Sequence, residues 1–406
     1  MNKKLPQTAY ILFKPAASFI AKKVAPRLLL IFIFLHFIFF TFAQDSSHIR
    51  ISLLTCTPGQ DLYATFGHTA IRVTDSSSVT DYVFNYGTFN FDDDGFYTKF
   101  IRGQLWYYLS VENFKDFKDA YQAENRGITE QLLKLDAEEK IGLRKALYEN
   151  AKEQNKFYKY DFFYDNCTSR ARDMLVKFKK NHPGFQPVMP KGTRFRQAIH
   201  LYLDKNKKYW SKLGIDLLLG APTDGIMTTL HSQFLPDNLM KSMDSSNEQH
   251  QLVISTTNLY PISEETENGS LFTPLFVFSL LFCCILLISF SSNNWVKIFL
   301  QGFDGIFFFL IGALGVLLIF MWFGTDHSMT KNNYNLLWTW PTNIIAAFLL
   351  PSQKKWVQKY FGVQAIALTL LLISWFFLPQ QLNTSLIPIV LLLIFRSARK
   401  FMQAQI

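Results

Sequence analysis

The chain has 406 residues, of which 49% are hydrophobic, 16% aromatic and only 18% charged. That composition excludes a disordered or collagen-like polymer and leaves room for two ordinary domains, or one domain plus a membrane part. Four cysteines exclude a disulfide-built miniprotein, and the net charge of +10 is unevenly spread.

Residues 1–43 carry six basic and no acidic residues, 271–406 eight basic and two acidic, and 44–270 carry 27 basic and 29 acidic. The excess basicity therefore lies beside apolar runs, where it reports membrane orientation. No basic face for nucleic acid is visible on the remainder, so no nucleic-acid partner is expected. The run 28–42 is about 15 residues long, short for a span, and it follows six basic residues and ends at Ala43. It reads as a signal peptide or an N-terminal anchor. Cys56 lies too far beyond it to be a lipid-modified cysteine.

Strands are expected at 51–55, 68–74 and 82–86, the last two joined through Asp75-Ser76-Ser77-Ser78. Helices are expected over 112–124, over 135–154 with Asp136 as N-cap and Glu139 three residues on, and over 168–179. Residues 241–270 read as a polar linker. Five apolar runs then close the chain, at 271–291, 303–323, 336–350, 361–378 and 386–395. With 44–270 outside, seven basic residues fall on inner loops and the tail, against Lys331 alone outside. This is a positive-inside pattern for a five-span helical domain, 271–406, behind an exported domain, 44–270.

Of the two exported cysteines, Cys167 follows Asp165-Asn166 at the start of a helix that also contains Arg170 and Arg172. A helix N-terminus and nearby guanidinium charge lower a thiol pKa and favour the thiolate, and the free helix amides can bind an oxyanion. The competing reading pairs Cys167 with Cys56 in a disulfide. His68, on a strand with Ala70 and Arg72 on its face, can activate a thiol if the fold brings them together. Asn85 on the next strand is placed to hold the imidazole, or is merely a polar residue near a turn.

The order of an early His-x-Ala-Ile-x-Val strand, a polar residue on the next strand and a late Asn-Cys at a helix start resembles the circularly permuted papain-like fold. Lecithin:retinol acyltransferase-like enzymes and NlpC relatives share that order. More closely, LLTCTPGQDLYATFGHTAIRV, YDFFYDNCTSRARDML and the five-run tail resemble Lnb, the lipoprotein N-acyltransferase family of Bacteroidota. The resemblance implies an α+β catalytic domain in the periplasm on a bacterial inner membrane. It also implies a cysteine–histidine enzyme that adds a third acyl chain to diacylated lipoproteins, with Cys167 as nucleophile and His68 as base. The donor would be a membrane phospholipid or another lipoprotein; no metal or cofactor is expected.

The outer loop 324–335 is dense in hydrogen-bonding side chains. His327 and Asn335, with Arg170 and Arg172, are the candidate substrate-binding residues; a packing platform for the exported domain is the other reading of that loop. Two further functions stay open. A cysteine peptidase or amidase acting on cell-wall peptide would use the same pair but needs at most one anchor. A non-enzymatic docking protein would not need Cys167 at all.

Overall fold

The strand β1 (Ile49–Cys56) is buried at every position except Arg50, the mark of a strand in the middle of a sheet. In this computed structural model, residues 48–181, 184–244, 251–260, 271–352 and 354–402 are described, so the segment 1–43 read as signal or anchor lies outside the described residues. β1 pairs with β2 (His68–Asp75) and β5 (Ile128–Leu133), and β2 with β3 (Thr80–Thr88). With β4 (Trp106–Asn113), β6 (Phe157–Lys159) and β7 (Val253–Tyr260) they form an antiparallel sheet ordered β6-β4-β3-β2-β1-β5-β7.

One face of the sheet buries Ile51, Leu53, Ile71, Val73 and Phe84 against Leu143 and Leu147 of the helix Ala137–Asn150 and Ala171 and Leu175 of the helix Cys167–Phe178. The other face buries Leu54, Cys56, Ala70 and Val83 against Phe117 of the helix Phe114–Ala123. Each such aliphatic or aromatic side chain contributes about 1.5–3 kcal/mol by leaving water. Helix Ala137–Asn150 starts at the expected capping box, Asp136 with Glu139.

Three expectations need correction. Residues 112 and 113 end β4 rather than begin a helix, because Tyr107 and Leu109 alternate inward along that strand. The expected linker, 241–270, contains the end of helix Pro236–Asp244 and all of β7. β7 is an edge strand, mostly exposed along Ile254–Asn258, so its sequence looks like a linker. The third expected span, 336–350, is not one helix: it comprises a 3-10 turn, Tyr334–Leu337, and a six-residue helix, Asn343–Phe348. At 1.5 Å per residue that helix covers about 9 Å of a hydrocarbon core about 30 Å thick.

The other four runs correspond to helices Pro274–Ile288, Asn294–Phe323, Lys355–Ser374 and Ile387–Met402. Asp304, fully buried among them, is held by Arg396 at 2.6 and 2.8 Å and by Lys400 at 3.1 Å, which removes the cost of an unpaired charge at that depth. The described residues from Ile49 onward form a single compact unit. Leu213, from helix Tyr209–Leu218 ahead of the apolar runs, shares a core with Phe308, Trp338 and Leu393.

Candidate functional site

Cys167 is the first residue of helix Cys167–Phe178, and the residue before it locks that helix start in place. Asn166 Oδ1 accepts from the Ser169 amide at 2.8 Å, and Ser169 Oγ accepts from the Asn166 amide at 2.8 Å. The Asn166 amide group also donates to the carbonyls of Phe162 and Phe234, both at 2.8 Å. The helix start is thus tied to two other parts of the chain. Gly87, two residues beyond Asn85, has φ +88°, and a Cβ there would lie 3.3 Å from Cys167 Cβ. The absent side chain lets the cysteine reach the sheet.

His68 opens β2, and its side chain lies within electrostatic reach of the Cys167 thiol. Its Nε2 lies 2.5 Å from Asn85 Oδ1. Asn85 in turn donates through Nδ2 to Glu112 Oε1 at 3.3 Å. The structure therefore lines up Cys167, His68, Asn85 and Glu112 in one chain of contacts. With Nδ2 occupied by a carboxylate, the Asn85 carbonyl oxygen faces the ring, which must then present N–H at Nε2. That leaves Nδ1 for the sulfur, the tautomer a thiol base requires.

Burial alone would raise the Cys167 thiol, but the charge and hydrogen bond of His68, the Thr69 amide and the Thr168 hydroxyl outweigh it and bring the thiol down to about 7. Burial also opposes the charged imidazole; the charge and hydrogen bond of Cys167, with Asn85, reverse that and raise His68 above its ordinary value. Opposite shifts of this kind are those of a thiolate–imidazolium pair, which titrates as a unit. Cys56 behaves differently. Fully buried and opposite His68 in the β1–β2 register, it is pushed up to about 12 by burial. Both Cys56 and Cys167 are free thiols, so the structure does not contain the alternative disulfide.

The other candidates lie elsewhere. Arg170 donates to Asp165 at 2.6 and 2.7 Å and lies 3.5 Å over the Tyr158 ring, so its charge is already paired, and His68 rather than a guanidinium lowers the thiol. Arg172 donates to Asp173 at 2.7 Å and to the Leu230 carbonyl at 2.8 Å. His327 reaches the carbonyls of Phe100 and Ile101 at 3.2 and 3.1 Å. Asn335 is fully buried; its amide group donates to the Asp216 and Leu217 carbonyls and its Oδ1 accepts from Trp338. The polar groups of these four residues bind other parts of the same chain. The loop 324–335 is bonded to the end of helix Tyr209–Leu218 and the residues after it: Asn333 donates to the Leu217 and Leu218 carbonyls, and the Gly220 amide to the Met329 carbonyl.

Sequence reasoning missed Glu112, because it was placed in a helix; the alternation of Tyr107, Leu109 and Val111 with polar neighbours was the available signal. It also missed the buried structural cluster in which Asp216 pairs with Arg196 and His200, which no local motif marks.

Residues 39–190 match the family model described as the Lnb N-terminal periplasmic domain, and residues 265–405 match the one described as the Lnb transmembrane domain. The first match takes in His68, Asn85, Glu112 and Cys167. No curated protein and no solved structure matches the chain.

Proposed function

The chain belongs to the Lnb family and is a membrane protein with a periplasmic domain; from that premise we propose that it is a cysteine-dependent lipoprotein N-acyltransferase of the bacterial inner membrane. The observation that carries this reading is the Cys167–His68 pair, with its thiol brought to about 7 inside a fold continuous with membrane helices. The sheet, with its early histidine strand and late cysteine helix, supports a permuted papain-like reading of the catalytic domain.

In the first half-reaction the Cys167 thiolate attacks an ester carbonyl of the donor lipid. The carbonyl π electrons move onto oxygen, where amides at the start of helix Cys167–Phe178 stabilise the charge. The C–O bond then breaks, and His68 gives its proton to the departing lysolipid oxygen. In the second, the α-amine of a diacylglyceryl-cysteine attacks the thioester, His68 takes the amine proton, and C–S cleavage restores the thiolate. Splitting one transfer into two steps is what a covalent thioester supplies. Asn85 holds the ring and Glu112 holds Asn85.

A peptidase acting on cell-wall peptide could use the same pair, but nothing in that chemistry calls for a catalytic body built into the core of a helical membrane part through Leu213 and the 324–335 platform. The test is mass spectrometry of the N-terminus of a reporter lipoprotein in cells with the wild-type protein or Cys167→Ala. Three acyl chains with the wild type and two with the variant are expected. Three chains with both would end the proposal.

A further inference from the structure

An apolar surface on the catalytic domain lies exposed beside the membrane loop. Tyr63, Phe91, Tyr97, Phe100 and Ile101 are 61%, 57%, 73%, 50% and 47% exposed. Their rings are not scattered: Tyr63 meets Phe91 at 6.5 Å between centroids, Phe91 meets Phe96 at 5.0 Å, and Phe96 stacks on Phe100 at 6.1 Å. Contiguous exposed apolar surface on a soluble domain marks a binding site.

Its position says what it binds. The helix Phe96–Arg102 is fastened by its C-terminal end to the loop after the membrane helix Asn294–Phe323. The Asp326 amide donates to the Arg102 carbonyl at 2.9 Å, His327 reaches Phe100 and Ile101, and Lys159 pairs with Asp326 at 2.7 Å. Gly103, at φ +67°, permits this approach, since a Cβ there would stand 3.2 Å from His327. Trp322 and Phe323 end the membrane helix at the same level, as rings do at a bilayer boundary. The exposed Lys99 and Arg102 lie in the last turn of the helix, the end fastened to that loop, and Asp92, Asp93 and Asp94 precede its N-terminal end.

The surface also packs against the core that holds the nucleophile. Phe96 stacks on Phe89 at 5.9 Å, Phe89 meets Tyr107 at 5.3 Å, and Tyr107 stacks on Tyr160 at 4.2 Å. Phe89, Tyr107 and Tyr160 pack in the same core as Cys167. A run of ring contacts therefore connects the membrane boundary with the core around the thiol.

We propose that this surface seats an acyl chain of a donor phospholipid from the adjoining leaflet while its ester lies at Cys167. The proposal rests on the acyltransferase reading for the identity of the donor, and on geometry alone for the seat. A chain whose carbonyl carbon bonds the sulfur must lie along something apolar, and a surface joined to the bilayer boundary lets it leave the membrane without crossing water.

The test uses the full-length protein in vesicles of phosphatidylethanolamine and phosphatidylglycerol, with a fraction of phosphatidylethanolamine carrying a diazirine in one acyl chain. After irradiation, adducts on the peptides spanning 62–63 and 89–102 are expected, in the wild type and in Cys167→Ala alike. Adducts confined to the membrane helices would overturn the proposal. Adducts on these peptides with no acylation of wild-type Cys167 would leave the seat standing and remove the acyltransferase reading. In Phe91→Ser/Tyr97→Ser, acylation of Cys167 by vesicle phospholipid should fall more than tenfold, while acylation by soluble p-nitrophenyl butyrate stays within twofold. Equal loss with both donors would mean that these rings only support the fold.

Discussion

His68 and His200 are both partly buried, both touch a polar partner within 2.8 Å, and they belong to opposite kinds of site. Around His200 every charge is matched. Asp216 accepts from His200, Arg196 and Asn383, each at 2.8 Å, and Arg196 also donates to Asp224 at 3.1 Å. Burial pushes Asp216 up, and His200 and Arg196 bring it below its ordinary value, which is a fixed carboxylate. Around His68 the chain of partners stops at Cys167, a residue 8% exposed whose thiol is brought down to about 7. Density of polar side chains did not distinguish the two clusters. What distinguishes them is whether a nucleophilic atom is left at the end, poised near neutral pH.

That contrast can be broken most severely at its centre. His68→Ala should lower lipoprotein acylation by about 10²–10⁴-fold, the usual worth of a general base, with the thermal unfolding midpoint in detergent nearly unchanged. The same variant should move the pH profile of Cys167 alkylation by iodoacetamide. In the wild type the rate should rise with pH through about 7, against 9.0 for an ordinary thiol. Without His68 only the Thr69 amide and the Thr168 hydroxyl still oppose the upward push of burial, so the inflection should move to higher pH. An unmoved profile would separate His68 from the thiol.

Asp216→Ala should do the reverse. Leaving Arg196 buried without that partner should cost about 3–5 kcal/mol of stability by denaturant titration, while whatever folds retains its turnover per molecule. Within the His68 chain, Asn85→Ala should cost roughly 100-fold in rate by letting the ring swing, since about 1 Å of misplacement has that effect. Glu112→Gln should cost about 1 kcal/mol, roughly fivefold, because an amide holds Asn85 less firmly than a carboxylate. The smallest effect is expected at the other exported thiol. Cys56→Ala should leave transfer within about threefold, since a thiol pushed up to about 12 takes no part in proton or acyl movement.

The parts of this arrangement that were legible in the sequence are those fixed by neighbours in the chain. The Asp136–Glu139 box and the Asn166-Cys167 helix start each need only a few consecutive residues, and both stand where the pattern put them. The His68 strand and Asn85 were legible because a hairpin joins them. Glu112 is 27 residues from its partner, and Arg196 and Asp216 are 20 apart on different helices, so no short window shows them. The outer loop misled for the same reason: Asn335 looks ready for a ligand until helix Tyr209–Leu218, 119 residues earlier, supplies its acceptors. The third apolar run looked like a span because hydropathy counts residues and does not see the 3-10 turn Tyr334–Leu337 or the short helix after it.

The central claim is that Cys167 itself carries the acyl chain. Intact-mass spectrometry of the purified full-length protein, incubated with phospholipid vesicles and no lipoprotein, tests it most directly. A gain of one acyl chain is expected, mapped to Cys167, released by neutral hydroxylamine and absent from Cys167→Ala. A wild-type protein that stays at its unmodified mass before acceptor is added, yet triacylates a lipoprotein once it is supplied, would contradict it.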